Sequence, residues 1–168
     1  MTASGITNND KNENRINFNE PIPDMIERLK REHRSFESKL DEADNSINID
    51  HDIADAAKTI RSMDKSIVHH AVEEEARLMR VIMKNAKDDS SESIRIMQEH
   101  NYVLDFFKNK LISIEQDAKP PSSEPEPKEG QEFEQAKNDL NEFISNLKSH
   151  FIEEEQVVFP LALKANLP

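Results

Sequence analysis

The sequence predicts an all-α protein, an up-down-up-down antiparallel four-helix bundle, and three observations support that prediction. Charged residues make up 33% of the 168-residue chain, whereas aromatic residues make up 5% and only two residues are glycine. Such a composition, with few alternating runs of valine, isoleucine or threonine, favours long solvated helices over sheet. Four amphipathic stretches of similar length, joined by polar segments, complete the pattern of a bundle.

The chain begins with a polar stretch and then reaches its first predicted helix. Residues 1–20 are rich in asparagine and poor in apolar side chains, so we expect a flexible N-terminal arm. The remainder, residues 21–168, has the length of a single domain. The first helix is predicted to begin near Asp24, which can cap it, and to end at about residues 44–46. Its apolar face contains His33.

The second and third predicted helices each carry a histidine within an apolar face. The second runs from about Asp50 to Asn85, and an acidic, serine-rich segment at residues 88–91 ends it and caps the third helix. The face of the second helix comprises Ile53, Ala56, Ile60, Met63, Ile67, His70, Glu74, Leu78 and Val81. The face of the third helix comprises Met97, His100, Leu104, Phe107 and Leu111.

The fourth helix completes an internal repeat. Residues 118–130 hold four prolines and several charged side chains, which predicts an acidic surface loop between the third and fourth helices. The face of the fourth helix comprises Leu140, Phe143, Leu147, His150, Glu154, Val158 and Leu161. His33 and His70 are 37 residues apart, whereas His100 and His150 are 50 residues apart, and the excess equals the 13 residues of the loop. The two halves therefore carry the same pattern, one helix with a single histidine and one with His-x-x-x-Glu.

Six polar residues occupy positions that the apolar pattern reserves for the core. Residues four apart lie on one helical face, about 6 Å apart along the axis. Buried carboxylates are costly unless they are paired, and a lone histidine on an apolar face is more often a satisfied core residue than a ligand. Four histidines, one per helix, with two repeated glutamates instead predict a dinuclear metal centre. The candidate ligands are His33, His70, Glu74, His100, His150 and Glu154.

The types of donor atom narrow the choice of metal. Nitrogen and oxygen donors without sulfur suit iron, manganese or zinc, and glutamates that project inward can bridge two ions. With one carboxylate and one imidazole from each paired helix and single histidines opposite, we expect neither ion to be saturated. An exchangeable position for dioxygen, peroxide or nitric oxide follows from that expectation.

Other histidines and glutamates near these positions leave alternatives open. His69, with Glu73 four residues later, is an alternative ligand pair in a shifted register, although its helical neighbours are polar. Glu37 stands four residues after His33 and could supply a further ligand. His51 is interpreted as a surface residue. The glutamates that flank the candidate ligands are interpreted mainly as solvated, with a supporting role for some of them still open: Glu73, Glu75, Glu153 and Glu155.

Charge and composition exclude several classes of function. A formal net charge of −12 repels nucleic acid phosphates and anionic membrane surfaces, so neither is an expected partner. The chain has no cysteine, which excludes disulfides, thiolate zinc sites and iron–sulfur clusters. It also has no apolar run long enough for a transmembrane helix and no export signal, so we expect a cytoplasmic protein.

The order and spacing of the ligands resemble a known family. The pattern His33 … His70-x-x-x-Glu74 … His100 … His150-x-x-x-Glu154, followed by Phe159-Pro160, is similar to that of the hemerythrin-like HHE cation-binding domains over about residues 23–165. The resemblance implies a four-helix bundle with an oxo- or hydroxo-bridged pair of iron ions held by the six residues. Members of the family include dioxygen carriers and sensors, iron-sensing modules, proteins of nitrosative-stress defence or iron-centre repair, and proteins with peroxidase- or catalase-like reactivity.

The chain departs from the dioxygen carriers of this family in two places. Those proteins have His-x-x-x-His on the third helix and His-x-x-x-x-Asp on the fourth, whereas this chain has Leu104 and Glu154 at the corresponding points. A fifth histidine ligand has no clear counterpart. The resemblance is therefore closer to the broader HHE group than to reversible oxygen carriers.

The sequence thus predicts a non-haem di-iron protein of hemerythrin-like type. It would bind dioxygen, peroxide or nitric oxide, or handle iron, at a centre of two Fe ions, with Mn and Zn as the alternative metals. Two other functions stay open. One is a di-iron enzyme with catalase-, peroxidase- or ferroxidase-like activity, and the other is a metal-free helical interaction module whose acidic loop docks a protein partner that the sequence does not identify.

Overall fold

The computed structural model describes residues 15–118 and 131–167, and within these ranges the chain is helical and has no β-strand. The all-α prediction is confirmed for this part of the chain. None of its helices has the length and apolar character needed to cross a membrane. The predicted arm at residues 1–20 lies outside the described residues up to residue 14, and the predicted loop lies outside them from residue 119.

The described residues form four long helices, three of which combine several segments. The first is α1, Ile22–Asn48. The second comprises α2 (Ile53–Arg61), α3 (Asp64–Glu73), a π-helical segment (Glu74–Met79) and α4 (Arg80–Asn85). The third follows a 3-10 turn (Lys87–Asp89) and comprises α5 (Ser90–Asp105), a π-helical segment (Phe106–Lys110) and α6 (Leu111–Asp117). The fourth comprises α7 (Gln131–Glu153), a π-helical segment (Glu154–Val158) and α8 (Phe159–Ala165).

The first helix is longer at both ends than predicted. It begins at Ile22, and Asp24 lies in its first turn instead of capping it. It continues past residue 46 because Ile47 is fully buried and the Ser46 hydroxyl donates a hydrogen bond to Asp55 of the second helix at 2.7 Å. Contacts with the next helix therefore outweigh the low helix propensity of the segment that was expected to end it.

The second helix begins later than predicted and is interrupted once. His51 has φ of 54°, in the left-handed region, so it cannot belong to a right-handed helix. Asp52 then caps α2, its side chain accepting a hydrogen bond from the Asp55 amide. A turn at residues 62–63 separates α2 from α3, because the Met63 amide donates to the Ile60 carbonyl three residues back.

The π-helical segments shift which residues face the core. In the second helix, Leu78 and Met79 are both buried after Glu74, and the next buried residue is Ile82. Val81, which the 3.6-residue period had placed in the core, is only half-buried. A π turn contains one residue more than an α turn, so the apolar face moves on by one position.

The same one-residue shift occurs in the fourth helix. Val158 and Phe159 are both buried, and Ala162 follows them in the core where Leu161 had been predicted. In the third helix, Val103 is buried in place of the predicted Leu104, but this difference precedes the π segment and is not caused by it. The shifts in the second and fourth helices leave the candidate ligands facing inward, because each ligand precedes the π segment or begins it.

The buried apolar residues form two separate clusters. The larger cluster includes Phe36, Leu40, Ile60, Met63, Ile67, Val103, Phe106, Phe107, Leu140, Phe143, Leu147 and Phe151. The smaller cluster comprises Ile22, Met25, Ile26, Leu29, Leu78, Met79, Ile82, Ile96, Val158, Phe159, Ala162 and Ala165. On every helix the predicted ligands stand between residues of one cluster and residues of the other. A layer of polar side chains thus divides the core.

Candidate metal centre

All six predicted ligands are buried and lie close together. Their exposed fractions range from 0% for His33, Glu74 and Glu154 to 7% for His150. They fall into two groups, each with ligand atoms within 4.8 Å of one another. One group comprises His33, His70, Glu74 and Glu154, and the other comprises His100, His150 and Glu154. Glu154 belongs to both groups, so the two groups are adjacent.

The first group joins the first two helices to the fourth. The Nε2 atoms of His33 and His70 lie 3.0 Å apart. The Nε2 atom of His70 lies 2.9 Å from Oε1 of Glu74, and the Nε2 atom of His33 lies 3.4 Å from Oε1 of Glu154. Two imidazole nitrogens and two carboxylates therefore converge on one small volume.

The second group joins the third and fourth helices. The Nε2 atom of His150 lies 2.9 Å from Oε1 of Glu154, and the Nε2 atom of His100 lies 3.9 Å from Oε2 of the same carboxylate. His100 Nε2 is also 3.7 Å from Oε1 of Glu74. Each glutamate thus approaches histidines of both groups, as a bridging carboxylate would.

The donor atoms at the centre lack ordinary partners, which fits a bound cation. All four carboxylate oxygens of Glu74 and Glu154 are buried without a hydrogen bond, and so is Nε2 of His100. Two buried carboxylates in this state cost several kcal/mol unless a positive charge compensates them. The donors are nitrogen and oxygen only, a set that suits iron, manganese or zinc. The residues present therefore fit a dinuclear metal site.

The pKa values of these residues in the absence of metal also show that the buried carboxylates attract positive charge. Burial raises the pKa of Glu74, but the positive charges of His70, His100 and His150 outweigh it and hold that pKa at about 2. Burial lowers the pKa of His70, yet the carboxylates of Glu74 and Glu32 raise it to about 9. Burial and the neighbouring charge of His70 lower the pKa of His33. The buried carboxylates thus favour the protonated, positively charged form of His70.

Two flanking glutamates support ligands from across the helix interface. Oε2 of Glu155 lies 2.9 Å from Nδ1 of His33, and Oε1 of Glu75 lies 3.0 Å from Nδ1 of His100. Glu75 follows Glu74 and Glu155 follows Glu154 in the sequence, and both had been interpreted mainly as solvated. Carboxylates at Nδ1 orient an imidazole so that Nε2 is free to bind a metal. The supporting role left open for them is the one their contacts favour.

Two further supporting carboxylates were missed in the sequence. Oε2 of Glu99 lies 2.5 Å from Nδ1 of His150, and Oε1 of Glu32 lies 3.6 Å from Nδ1 of His70, the distance of an ion pair. Each of these glutamates immediately precedes the histidine of its own helix. The dipeptide Glu-His at the same place in both halves of the repeat was the signal that could have revealed them.

The alternative ligands lie outside both groups. His69 contacts Glu73, its partner in the shifted register, but neither residue meets the other candidate ligands. Glu73 was expected to be solvated; it is only 5% exposed and is paired with Arg28. That interpretation is wrong because the arginine of the first helix covers it.

The other candidate residues, His51, Glu37 and Glu153, lie away from the centre. His51 is exposed, as expected. Glu37 pairs with Arg34 at 3.3 Å, and Glu153 pairs with Arg95. None of these three carboxylate or imidazole groups reaches the centre.

Aromatic rings enclose the first group. Phe151 stacks on His33 with ring centroids 4.3 Å apart, and Phe159 stacks on the same imidazole at 5.6 Å. Phe36 meets His70 edge-on at 5.4 Å. A cavity of about 10 Å³ lies beside His70 and is also lined by Leu104. The rings cover the imidazoles of this group and leave a small cavity next to the donor atoms.

Comparison of the chain with models of protein families, with curated proteins and with solved structures finds no match in any of the three. The hemerythrin-like resemblance therefore rests on the residues of this chain and on their arrangement.

Proposed function

We propose that this protein is a non-haem di-iron protein of hemerythrin-like type that binds a small molecule at a histidine- and glutamate-held centre. One observation carries the proposal: Glu74 and Glu154 are fully buried, lack hydrogen bonds, and each approaches imidazoles of both groups. Two cations between these side chains would compensate both carboxylates and use every Nε2 atom.

The two groups divide the ligand roles. His33 and His70 would hold one ion, His100 and His150 would hold the other, and Glu74 with Glu154 would bridge them. A bound iron pair would supply electrons to a small oxidant such as dioxygen or peroxide. The chain contributes the orientation of the imidazoles through their Nδ1 carboxylates and the exclusion of water by the enclosing rings.

The size and polarity of the neighbouring niche support a small ligand. The cavity beside the ligands has a volume of about 10 Å³ and is lined by apolar side chains of Phe36, Leu104 and Phe151 together with the candidate ligands. Dioxygen, nitric oxide and peroxide are of the size that a slight displacement of these side chains would admit. A larger organic substrate would require the aromatic rings to move apart.

The distribution of the two apolar clusters supports the proposed up-down-up-down bundle. The first and third helices each begin with residues of the smaller cluster and continue into the larger one, as Leu29 and Phe36 do in α1. The second and fourth helices run from the larger cluster to the smaller one, as Leu147 and Val158 do in the last helix. Alternating order implies alternating helix direction.

The decisive test is anaerobic titration of metal-free protein with Fe(II). We expect about two ions per chain, as in carboxylate-bridged centres of helix bundles, and a change in near-ultraviolet absorption when dioxygen, peroxide or nitric oxide is then added. The variant His69→Ala serves as a control. It should bind as many ions as the wild type, because His69 adjoins His70 in sequence but lies outside both groups. Failure of the wild-type chain to bind iron, manganese or zinc would refute the proposal and favour the metal-free interaction module.

The same titration separates binding from catalysis. Peroxide turnover or Fe(II) oxidation that rises in proportion to bound iron would make the protein an enzyme. A ligand-induced spectral change without turnover would indicate a binding or sensing role.

A further inference from the structure

Two arginines outside the centre occupy equivalent places in the two halves of the chain. Arg28 precedes Glu32 and His33 by four and five residues, and Arg95 stands in the same relation to Glu99 and His100. The following helix of each half then carries His-x-x-Glu-Glu-Glu, beginning at His70 or at His150. The repeat therefore extends beyond the six candidate ligands to a surrounding layer of charged residues.

Each arginine contacts the two corresponding glutamates of its half, in addition to a third carboxylate, which is Glu20 for Arg28 and Glu92 for Arg95. Arg28 donates to Oε2 of Glu32 at 2.7 Å and also binds Glu73 on the second helix. Arg95 lies 3.7 Å from Oε1 of Glu99 and also binds Glu153 on the fourth helix. In each half, one arginine therefore links the helix that supplies the supporting carboxylate to the helix that supplies the histidine it supports.

The carboxylate held by each arginine faces a candidate ligand. Glu99 lies 2.5 Å from Nδ1 of His150, and Glu32 lies 3.6 Å from Nδ1 of His70. These are the two histidines that stand four residues before the bridging glutamates. The hydrogen bond between Nδ1 of His150 and Glu99 keeps the proton on that nitrogen and leaves the Nε2 lone pair directed at the centre. At His70 the contact has an ion-pair distance and Nδ1 makes no hydrogen bond, so Glu32 acts on that imidazole through its negative charge.

We propose that Arg28 with Glu32 and Arg95 with Glu99 are positioning pairs, which hold His70 and His150 in the tautomer and orientation that bind metal. This inference rests on the proposed function, since it names residues that act on the metal centre through its histidines. The guanidinium is suited to this role because its planar donors fix a carboxylate in a defined orientation.

Burial distinguishes the Arg28 pair from ordinary surface ion pairs, whereas Arg95 and Glu99 are distinguished by the contact of Glu99 with His150. The side chain of Glu73 is 6% exposed, so Arg28 is anchored against a nearly buried carboxylate. Exposed pairs such as Glu27 with Lys30, at 3.3 Å on the same helix, are worth little and touch no histidine. Glu27 therefore provides a matched control for Glu32.

The test measures metal affinity in single variants of the full chain. Glu32→Gln and Glu99→Gln remove the negative charge at Nδ1, and we expect each to lower the affinity for Fe(II) by about ten- to hundredfold. Arg28→Gln and Arg95→Gln leave that charge in place but unanchored, and we expect a smaller loss in the same direction. Glu27→Gln should bind iron as the wild type does.

A second readout separates positioning from folding. Co(II) serves as a spectroscopic probe, and its visible bands should change in position and intensity in Glu32→Gln and Glu99→Gln, while the melting temperature of the metal-free variants stays near that of the wild type. Unchanged affinity and unchanged Co(II) spectra would overturn the inference, as would an affinity loss that only mirrors a loss of fold in every variant. If the wild type binds no metal, the proposed function itself is refuted. If wild type and variants bind metal equally, only the positioning role of these pairs is refuted.

Discussion

The Nε2 atoms of His33 and His70 lie 3.0 Å apart although the residues belong to different helices. Both imidazoles are almost fully buried, and Glu74 lies 2.9 Å from His70. The ring nitrogens and the buried carboxylate form a cluster of the kind that could hold a metal ion. This relationship determines how the protein should respond to metal and to substitutions at the centre.

Removal of metal should destabilise the protein. A ligand that binds only the folded state stabilises it by about 4 kcal/mol when its free concentration is a thousand times Kd. For a chain of this size that corresponds to a loss of about 10 °C in melting temperature after chelation. Differential scanning calorimetry of iron-loaded and chelator-treated protein measures the shift, and identical melting temperatures would contradict a metal-dependent fold.

Substitutions of Glu154 and of His100 should have different effects on the number of metal ions bound per chain. Glu154 belongs to both groups, whereas His100 belongs to one. Glu154→Ala should therefore abolish tight binding at both positions, and His100→Ala should leave about one ion per chain, held by the first group. Elemental analysis after gel filtration provides the count, with exposed His51→Ala as the control. Equal stoichiometry in the two ligand variants would show that Glu154 is not shared.

Phe151 should be important for stability in the absence of metal. Its ring is 2% exposed, stacks on His33 at 4.3 Å and lies 5.8 Å from Phe36. Phe151→Ala leaves a cavity beside the centre and should lower the free energy of unfolding by about 3–5 kcal/mol. Urea denaturation of chelated protein measures the loss. The neighbouring Ile152 is 54% exposed, so Ile152→Ala should change stability by no more than about 0.5 kcal/mol.

Asp52 should stabilise the start of the second helix. Its side chain accepts a hydrogen bond from the Asp55 amide at 3.0 Å. Asp52→Ala leaves that amide without its cap and should cost about 1 kcal/mol of unfolding free energy. The nearby Asp50→Ala removes a similar charge without removing the cap and should cost less. An equal loss in both variants, measured by urea denaturation, would attribute the effect to charge.

Much of the centre could be predicted from local pattern. His33, His70, Glu74, His100, His150 and Glu154 are buried together as the apolar faces predicted. A helix has a fixed period, so a polar residue in register with apolar neighbours must share their side. That rule holds within one helix and needs no knowledge of its neighbours.

The supporting contacts were decided by the tertiary structure. Glu32 faces His70 and Glu155 faces His33, and both are contacts between different helices. The sequence pattern of a single helix does not distinguish a solvent-exposed glutamate from one that contacts a neighbouring helix. The burial of Glu73 under Arg28 escaped prediction for the same reason.

The π-helical segments are a second feature that the 3.6-residue period of the sequence did not predict. One additional residue in the turn that follows Glu74 moved Ile82 into the core in place of Val81, and no local residue signals that change. The sequence by itself determined four amphipathic helices and six inward polar residues, because both depend on a period within each helix. Only the tertiary structure decided that Glu154 serves both groups and which carboxylate of a neighbouring helix meets Nδ1 of each histidine, because those relationships depend on how the helices pack.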